Sequence, residues 1–73
     1  MNRVALLSSV ALIEDLPGHS LTKGQIGTVV EHLERNGEVA LLVEFADDQG
    51  RTYAMLDLKP DQIIVLHRKV EAA

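Results

Sequence analysis

Ile26-Gly27-Thr28-Val29-Val30-Glu31-His32-Leu33-Glu34-Arg35, then Asn36-Gly37, then Glu38-Val39-Ala40-Leu41-Leu42-Val43-Glu44-Phe45: this run decides the fold. Asn-Gly between two apolar-rich segments is a direct hairpin signal, because both central residues of a type I′ turn need positive φ. A helix over residues 29–35, stopped by Asn36-Gly37, is the rival reading. The β-branched run Thr28-Val29-Val30 opposes it, since such side chains are stiff at χ1 and favour strands. The run therefore reads as two long antiparallel strands.

Working outward, Asp47-Asp48-Gln49-Gly50 is the next turn and residues 51–58 the next strand. Lys59-Pro60-Asp61-Gln62 makes a short 3₁₀ turn before a last strand at 63–66. On the N-terminal side, Val10-Ala11-Leu12-Ile13 is a short strand closed by Pro17-Gly18, and residues 18–25 form a polar loop. If Asn36-Gly37 is a two-residue turn, Leu33 faces Ala40, Glu31 faces Leu42 and Val29 faces Glu44. If Asp47 to Gly50 is a four-residue turn, Glu44 faces Tyr53 and Leu42 faces Met55. Because side chains alternate, these pairings sort the sheet into two surfaces. Ile26, Val30, Val39, Leu41, Val43, Phe45, Ala54, Leu56 and Leu58 form a core face. The other surface sets Val29, Leu33, Leu42, Tyr53 and Met55 among Glu31, Glu44 and Asp57. Five short strands with one small core predict an all-β fold, a five-stranded SH3-like barrel, since closure removes exposed edges; an open five-stranded sheet with one bare face is the alternative.

The chain has 73 residues, 47% hydrophobic and 25% charged, which allows one folded domain and argues against disorder. Its core spans about residues 9–66, leaving 1–8 and 67–73 as flexible ends. The net charge is −4, and ten of the eleven acids lie between residues 9 and 66 with only four of the seven bases. Nucleic-acid binders cluster positive charge, and the middle of this chain does the opposite. Two aromatics also leave little for stacking bases. There is no cysteine, so disulfides and thiolate metal sites are excluded; the absence fits a reducing cytosol. Arg3 followed by Val4-Ala5-Leu6-Leu7-Ser8-Ser9-Val10-Ala11 faintly imitates a secretory signal, but cleavage after Ala11 would leave an apolar core of only Val4 to Leu7, too short for one, and a cytoplasmic chain is the expectation. No run approaches the length of a membrane span.

The polar residues form no catalytic pattern. Gly24-Gln25-Ile26-Gly27 lacks the Lys-Ser/Thr and the following helix of a phosphate loop, and its glycines read as backbone geometry. Asp47 at the head of a turn reads as a cap on its own backbone. His19, His32 and His67 have no metal-ligand spacing, and His32 reads as a hydrogen-bonded histidine near the open end of its hairpin. No serine, threonine or lysine sits in an activating motif. The expectation is a chain without enzymatic activity, cofactor or metal.

Two resemblances add to this. Val10-Ala11-Leu12-Ile13-Glu14-Asp15-Leu16-Pro17, the Leu21-x-Lys23-Gly24-x-Ile26-Gly27-Thr28-Val29-Val30 segment, Val43-Glu44-Phe45, and Gly50-Arg51-Thr52-Tyr53-Ala54-Met55-Leu56 with Gln62-Ile63 resemble a bacterial domain-of-unknown-function family of very short proteins, family 4926. The resemblance covers about residues 9–66 and implies an SH3-like barrel, free-standing and without assigned catalytic residues. By analogy with other small stand-alone chains, which are often encoded beside a partner gene, the resemblance also implies a partner, sometimes in modules resembling toxin–antitoxin or immunity pairs. Lys23-Gly24-Gln25-Ile26-Gly27-Thr28-Val29 also looks like the KOW motif of ribosomal and transcription-factor barrels, which implies RNA or protein contact. Glu31, Glu34, Glu38 and Glu44 follow where an RNA binder prefers bases. The expected role is thus a protein-interaction module, binding a neighbouring gene product or a second copy through Val29, Leu33, Leu42, Tyr53 and Met55. A KOW-like nucleic-acid contact is the alternative.

Overall fold

Asn36 and Gly37 take φ of 51° and 81°, as a type I′ turn requires, and join the two long strands as expected. The computed structural model describes residues 4–67. It contains β1 (Ser9–Leu12), β2 (Ile26–Arg35), β3 (Glu38–Ala46), β4 (Thr52–Leu58) and β5 (Ile63–Val65), with 3₁₀ turns at Pro17–His19 and Pro60–Gln62. The all-β class and the turn before the last strand are as the sequence predicts. The strands form one antiparallel sheet in the order β4-β3-β2-β1-β5. Closure into a barrel is not completed: among the described residues β4 and β5 remain the two edges, with no ladder between them. β5 keeps only three residues, and these pair with β1.

The sheet curls around one core. Val10, Leu12, Leu21, Val29, Leu41, Val43, Phe45, Leu58 and Ile63 are buried in a single cluster that draws on all five strands. Removing such side chains from water stabilises by roughly 1.5–3 kcal/mol each. Leu21 lies in a loop that reads as polar. It is carried inward by a bridge to Leu16, whose N–H and C=O both bond Leu21 across the Pro17–His19 turn.

Three departures from the expected arrangement matter. In β2 the ladder runs as expected from Arg35–Glu38 to Glu31–Leu42, then slips by one residue. A bulge at Val30 sets Val29 opposite Val43 instead of Glu44, and Thr28 opposite Glu44. A one-residue slip exchanges the two faces, so Val29 becomes fully buried and Ile26 turns outward.

In the second hairpin, β4 is displaced by two residues. One step comes from a five-residue connection, residues 47–51, where Asp47 accepts bonds from the N–H groups of Gln49 and Arg51. The second comes from a bulge at Tyr53, between the Phe45–Ala54 and Ala46–Thr52 pairs. Two steps restore the faces of Met55 and Asp57 but change their partners: Met55 now faces Glu44 and Asp57 faces Leu42.

The third departure is at the N-terminus. Residues 4–8, expected to be flexible, run beside β2: Leu7 N–H donates to Val29 O at 2.7 Å, and Val29 N–H donates to Ser8 O at 3.0 Å. Leu7 takes a left-handed φ of 69° where this segment follows the bulge. The remaining expected ends, residues 1–3 and 68–73, lie outside the described residues, whereas His67 is described and exposed.

Candidate functional site: the outer sheet face

The sheet's inner surface is filled, so the outer surface is where side chains are free to act. Of the five residues expected there, the structure keeps Leu33, Leu42 and Met55 together. Leu33 and Leu42 are half-buried and Met55 is 50% exposed. Val29 is corrected: at 0% exposure it belongs to the core, because the bulge at Val30 reversed its facing. Tyr53 leaves the row as well. Its ring lies 6.5 Å from that of the buried Phe45, and its hydroxyl accepts a hydrogen bond from Gln25 Nε2 at 3.0 Å. The bulge thus turns Tyr53 toward the end of the core, although half of it remains in solvent.

Glu31, Glu44 and Asp57 surround the three remaining apolar residues through the Glu31–Leu42, Leu42–Asp57 and Glu44–Met55 pairs. The Glu44 carboxylate accepts a bond from Thr52 Oγ1. Arg35 approaches Asp57 at 3.9 Å, but both are solvent-exposed and the pair stabilises little. This half of the face is therefore apolar patches in an acidic setting.

The other half was not legible in the sequence. Ile26 faces Ala11 on β1, and Ala11 faces Ile64 on β5, so one row crosses three strands. Ile26 is 57% and Ile64 56% exposed. Leu66 extends the row's border: its N–H donates to Ser9 O, and it lines a shallow groove with Ser9, Ile26 and His67. Ile26 reads as core without the bulge, and a three-residue β5 is too short to phase by alternation.

The glycine loop has a structural explanation. Gly24, at φ 93°, turns the chain after Lys23, whose N–H donates to Asp15 Oδ1 at 2.8 Å. Gly27 is buried against β3, where a Cβ would lie 2.6 Å from Val43 Cγ1. His32 is half-buried and its Nε2–H donates to Val4 O, so this ring ties the N-terminal segment to β2. Val4 itself packs against the core, not on the outer face. A groove of about 420 Å³ lies between the Asn36-Gly37 turn and the Pro60–Gln62 turn and is lined by Leu33, Val39, Ala40, Leu58, Lys59 and Gln62 among others. Among the described residues, no three His, Asp or Glu side chains converge as metal ligands. No helix among them is long and apolar enough to cross a membrane.

The class defined by these features is a small all-β domain on one curled antiparallel sheet, apolar and acidic on its outer face. The chain belongs to the domain of unknown function family DUF4926, whose family model matches residues 6–65. No curated protein and no solved structure matches it.

Proposed function

We propose that this chain is a non-catalytic protein-binding domain that docks a partner protein through its outer sheet face. The observation that carries this reading is the row Ile26–Ala11–Ile64, two exposed isoleucines flanking Ala11 across three strands. Small monomers rarely expose contiguous apolar surface without a use. Leu42 and Met55 add apolar side chains to the same face beyond Thr28 and Glu44, and Glu31, Glu44 and Asp57 supply the polar rim typical of an interface. The acidic rim suits a partner with basic residues around an apolar patch, and repels the phosphates that an RNA-binding role demands. In this reading the chain acts in a bacterial cytoplasm, as the small partner of a neighbouring gene's product, in the manner of an antitoxin, an immunity protein or an accessory subunit.

The test is co-expression with the product of the adjacent gene, comparing wild type, Ile64→Glu and Leu42→Glu by co-purification and light scattering. Loss of the complex in both variants, with the fold intact by circular dichroism, is the expected outcome. Unchanged complex formation in both removes the outer face as the docking surface.

A further inference from the structure

The open sheet leaves one edge unguarded. Edge strands are normally protected by shortness, proline, lysine, bulges or a covering element. β5 is only three residues long. β4 has seven, Thr52-Tyr53-Ala54-Met55-Leu56-Asp57-Leu58, with no proline or lysine; Asp57 is its one charge, and its bulge affects only the start. Residues 54–58 pair regularly with β3 on one side, and among the described residues nothing pairs with them on the other.

The phase of the free backbone groups follows from the ladder. Val29 sends its N–H and C=O to Ser8 and Leu7, away from β3. Its neighbour Thr28 therefore points toward β3, and so does Glu44 toward β2. Val43, one residue on, points toward β4 and bonds with its partner Leu56. The type I′ turn gives the same phase, since Arg35 and Glu38 exchange bonds and every second residue of β3 from Glu38 faces β2. The N–H and C=O groups of Met55 and Asp57 are consequently aimed outward, with no strand among the described residues to receive them.

We infer that β4 pairs antiparallel with β4 of a second copy of this chain, about a two-fold axis through Leu56. The segment is complementary to itself in this register. Met55 of each copy exchanges both backbone bonds with Asp57 of the other, which satisfies all the outward groups of both residues. Leu56 meets Leu56 and Ala54 meets Leu58 on the inner side. No like charges oppose: Asp57 faces Met55, Arg51 lies toward Asp61 of the other copy, and Tyr53 toward Lys59. Moving the axis to Asp57 would oppose two carboxylates, and moving it to Met55 would set Arg51 against Lys59, both destabilising. Two five-stranded sheets thereby become one continuous sheet of ten. The pairing is made by backbone groups of this edge and does not depend on the docking role of the outer face, although the Met55 side chain lies on that face.

The chain contains no cysteine, which permits a register-specific test. Residues opposed without exchanging bonds lie with Cα atoms about 4.5 Å apart, within the range that a disulfide spans. Wild type is expected to run in light scattering at twice its 8.0 kDa chain mass. Under mild oxidation, Leu56→Cys is expected to give a covalent dimer, and Asp57→Cys, offset from its own copy, only background. Met55→Pro removes an outward N–H and the Met55 side chain but no backbone bond to β3, and is expected to be monomeric with an unchanged circular dichroism spectrum. Leu42→Glu, on the outer face, is expected to keep the dimer. A monomeric wild type, equal cross-linking of the two cysteine variants, or a dimer that survives Met55→Pro but not Leu42→Glu would each overturn the edge pairing. The last result would at the same time favour the face. If Met55→Pro fails to fold, the comparison of Leu56→Cys with Asp57→Cys decides alone.

Discussion

Phe45 lies across Gly27 so closely that a Cβ on the glycine would come within 3.0 Å of the ring's Cε2. The same atom would be 2.6 Å from Val43 Cγ1 and 3.0 Å from the Glu44 carbonyl oxygen, so no single side-chain movement would make room. Gly27→Ala is therefore expected to destabilise the fold by about 1–3 kcal/mol, the usual range for overpacking. Urea unfolding monitored by Tyr53 fluorescence measures this, and an unchanged midpoint would contradict the packing.

The bulge at Val30 assigns opposite roles to two apolar residues of one strand. Val29 is buried with Val43 opposite, and Val29→Ala is expected to cost about 2 kcal/mol through lost burial and the cavity left behind. Leu33 lies on the other side of the sheet, half-buried, and Leu33→Ser should cost clearly less. Equal losses in chemical denaturation would place the slip elsewhere.

Hairpin chemistry was legible in the sequence because it is local. Asn36-Gly37 and Asp47 to Gly50 announce their turns through residues that tolerate positive φ or cap their own backbone, and the strand ends fall within a residue or so. What escaped is where a ladder gains one residue. Nothing in Val29-Val30-Glu31 marks a bulge, since all three residues suit a regular strand, and the cause lies in tertiary packing: Gly27 and Val29 must face Val43 and Phe45 together. Likewise Tyr53 reads as an outward strand residue until its contacts with Phe45 and Gln25 are known. Of the candidate site, Leu33, Leu42 and Met55 were therefore foreseeable. Ile26 and Ile64 were not.

Asp47 couples the second turn to pH. Backbone N–H bonds from Arg51 and then Gln49, helped by the Arg51 side chain, hold its carboxyl below the ordinary value of 3.8. A group with a depressed folded-state pKa stabilises the fold above its unfolded value, and that contribution is lost as pH falls through the folded one. Asp47→Asn should thus lower the thermal midpoint at pH 7, and the gap from wild type should close as the pH falls below about 3.8. A gap independent of pH would show that the charge of Asp47 contributes nothing.

His32 fastens the N-terminal segment through the Val4 carbonyl. His32→Phe keeps the ring's bulk and removes the donor, for an expected loss of roughly 1 kcal/mol. Hydrogen exchange should accelerate at the Leu7 amide, which bonds Val29 O, while the Val43 amide stays protected. Unaltered exchange at Leu7 would mean that the segment is held without the histidine.

Binding to total RNA provides a further check on the acidic face. Titration at low salt should give no signal that decays steeply as salt is added, because the rim of Glu31, Glu44 and Asp57 repels phosphates. A steep salt slope would redirect attention to the KOW-like loop.

The pairing of Val10 with Val65 joins strands more than fifty residues apart in the chain, whereas β2, β3 and β4 are joined by connections of two and five residues. Ring closure over so long a stretch costs more chain entropy than either hairpin. The central meander is therefore the natural nucleus, and the β1–β5 seam is stitched last. Substitutions in that seam should quicken unfolding while leaving the refolding rate almost untouched, which makes β5, the strand bearing Ile64, the part of the molecule first to come loose under stress.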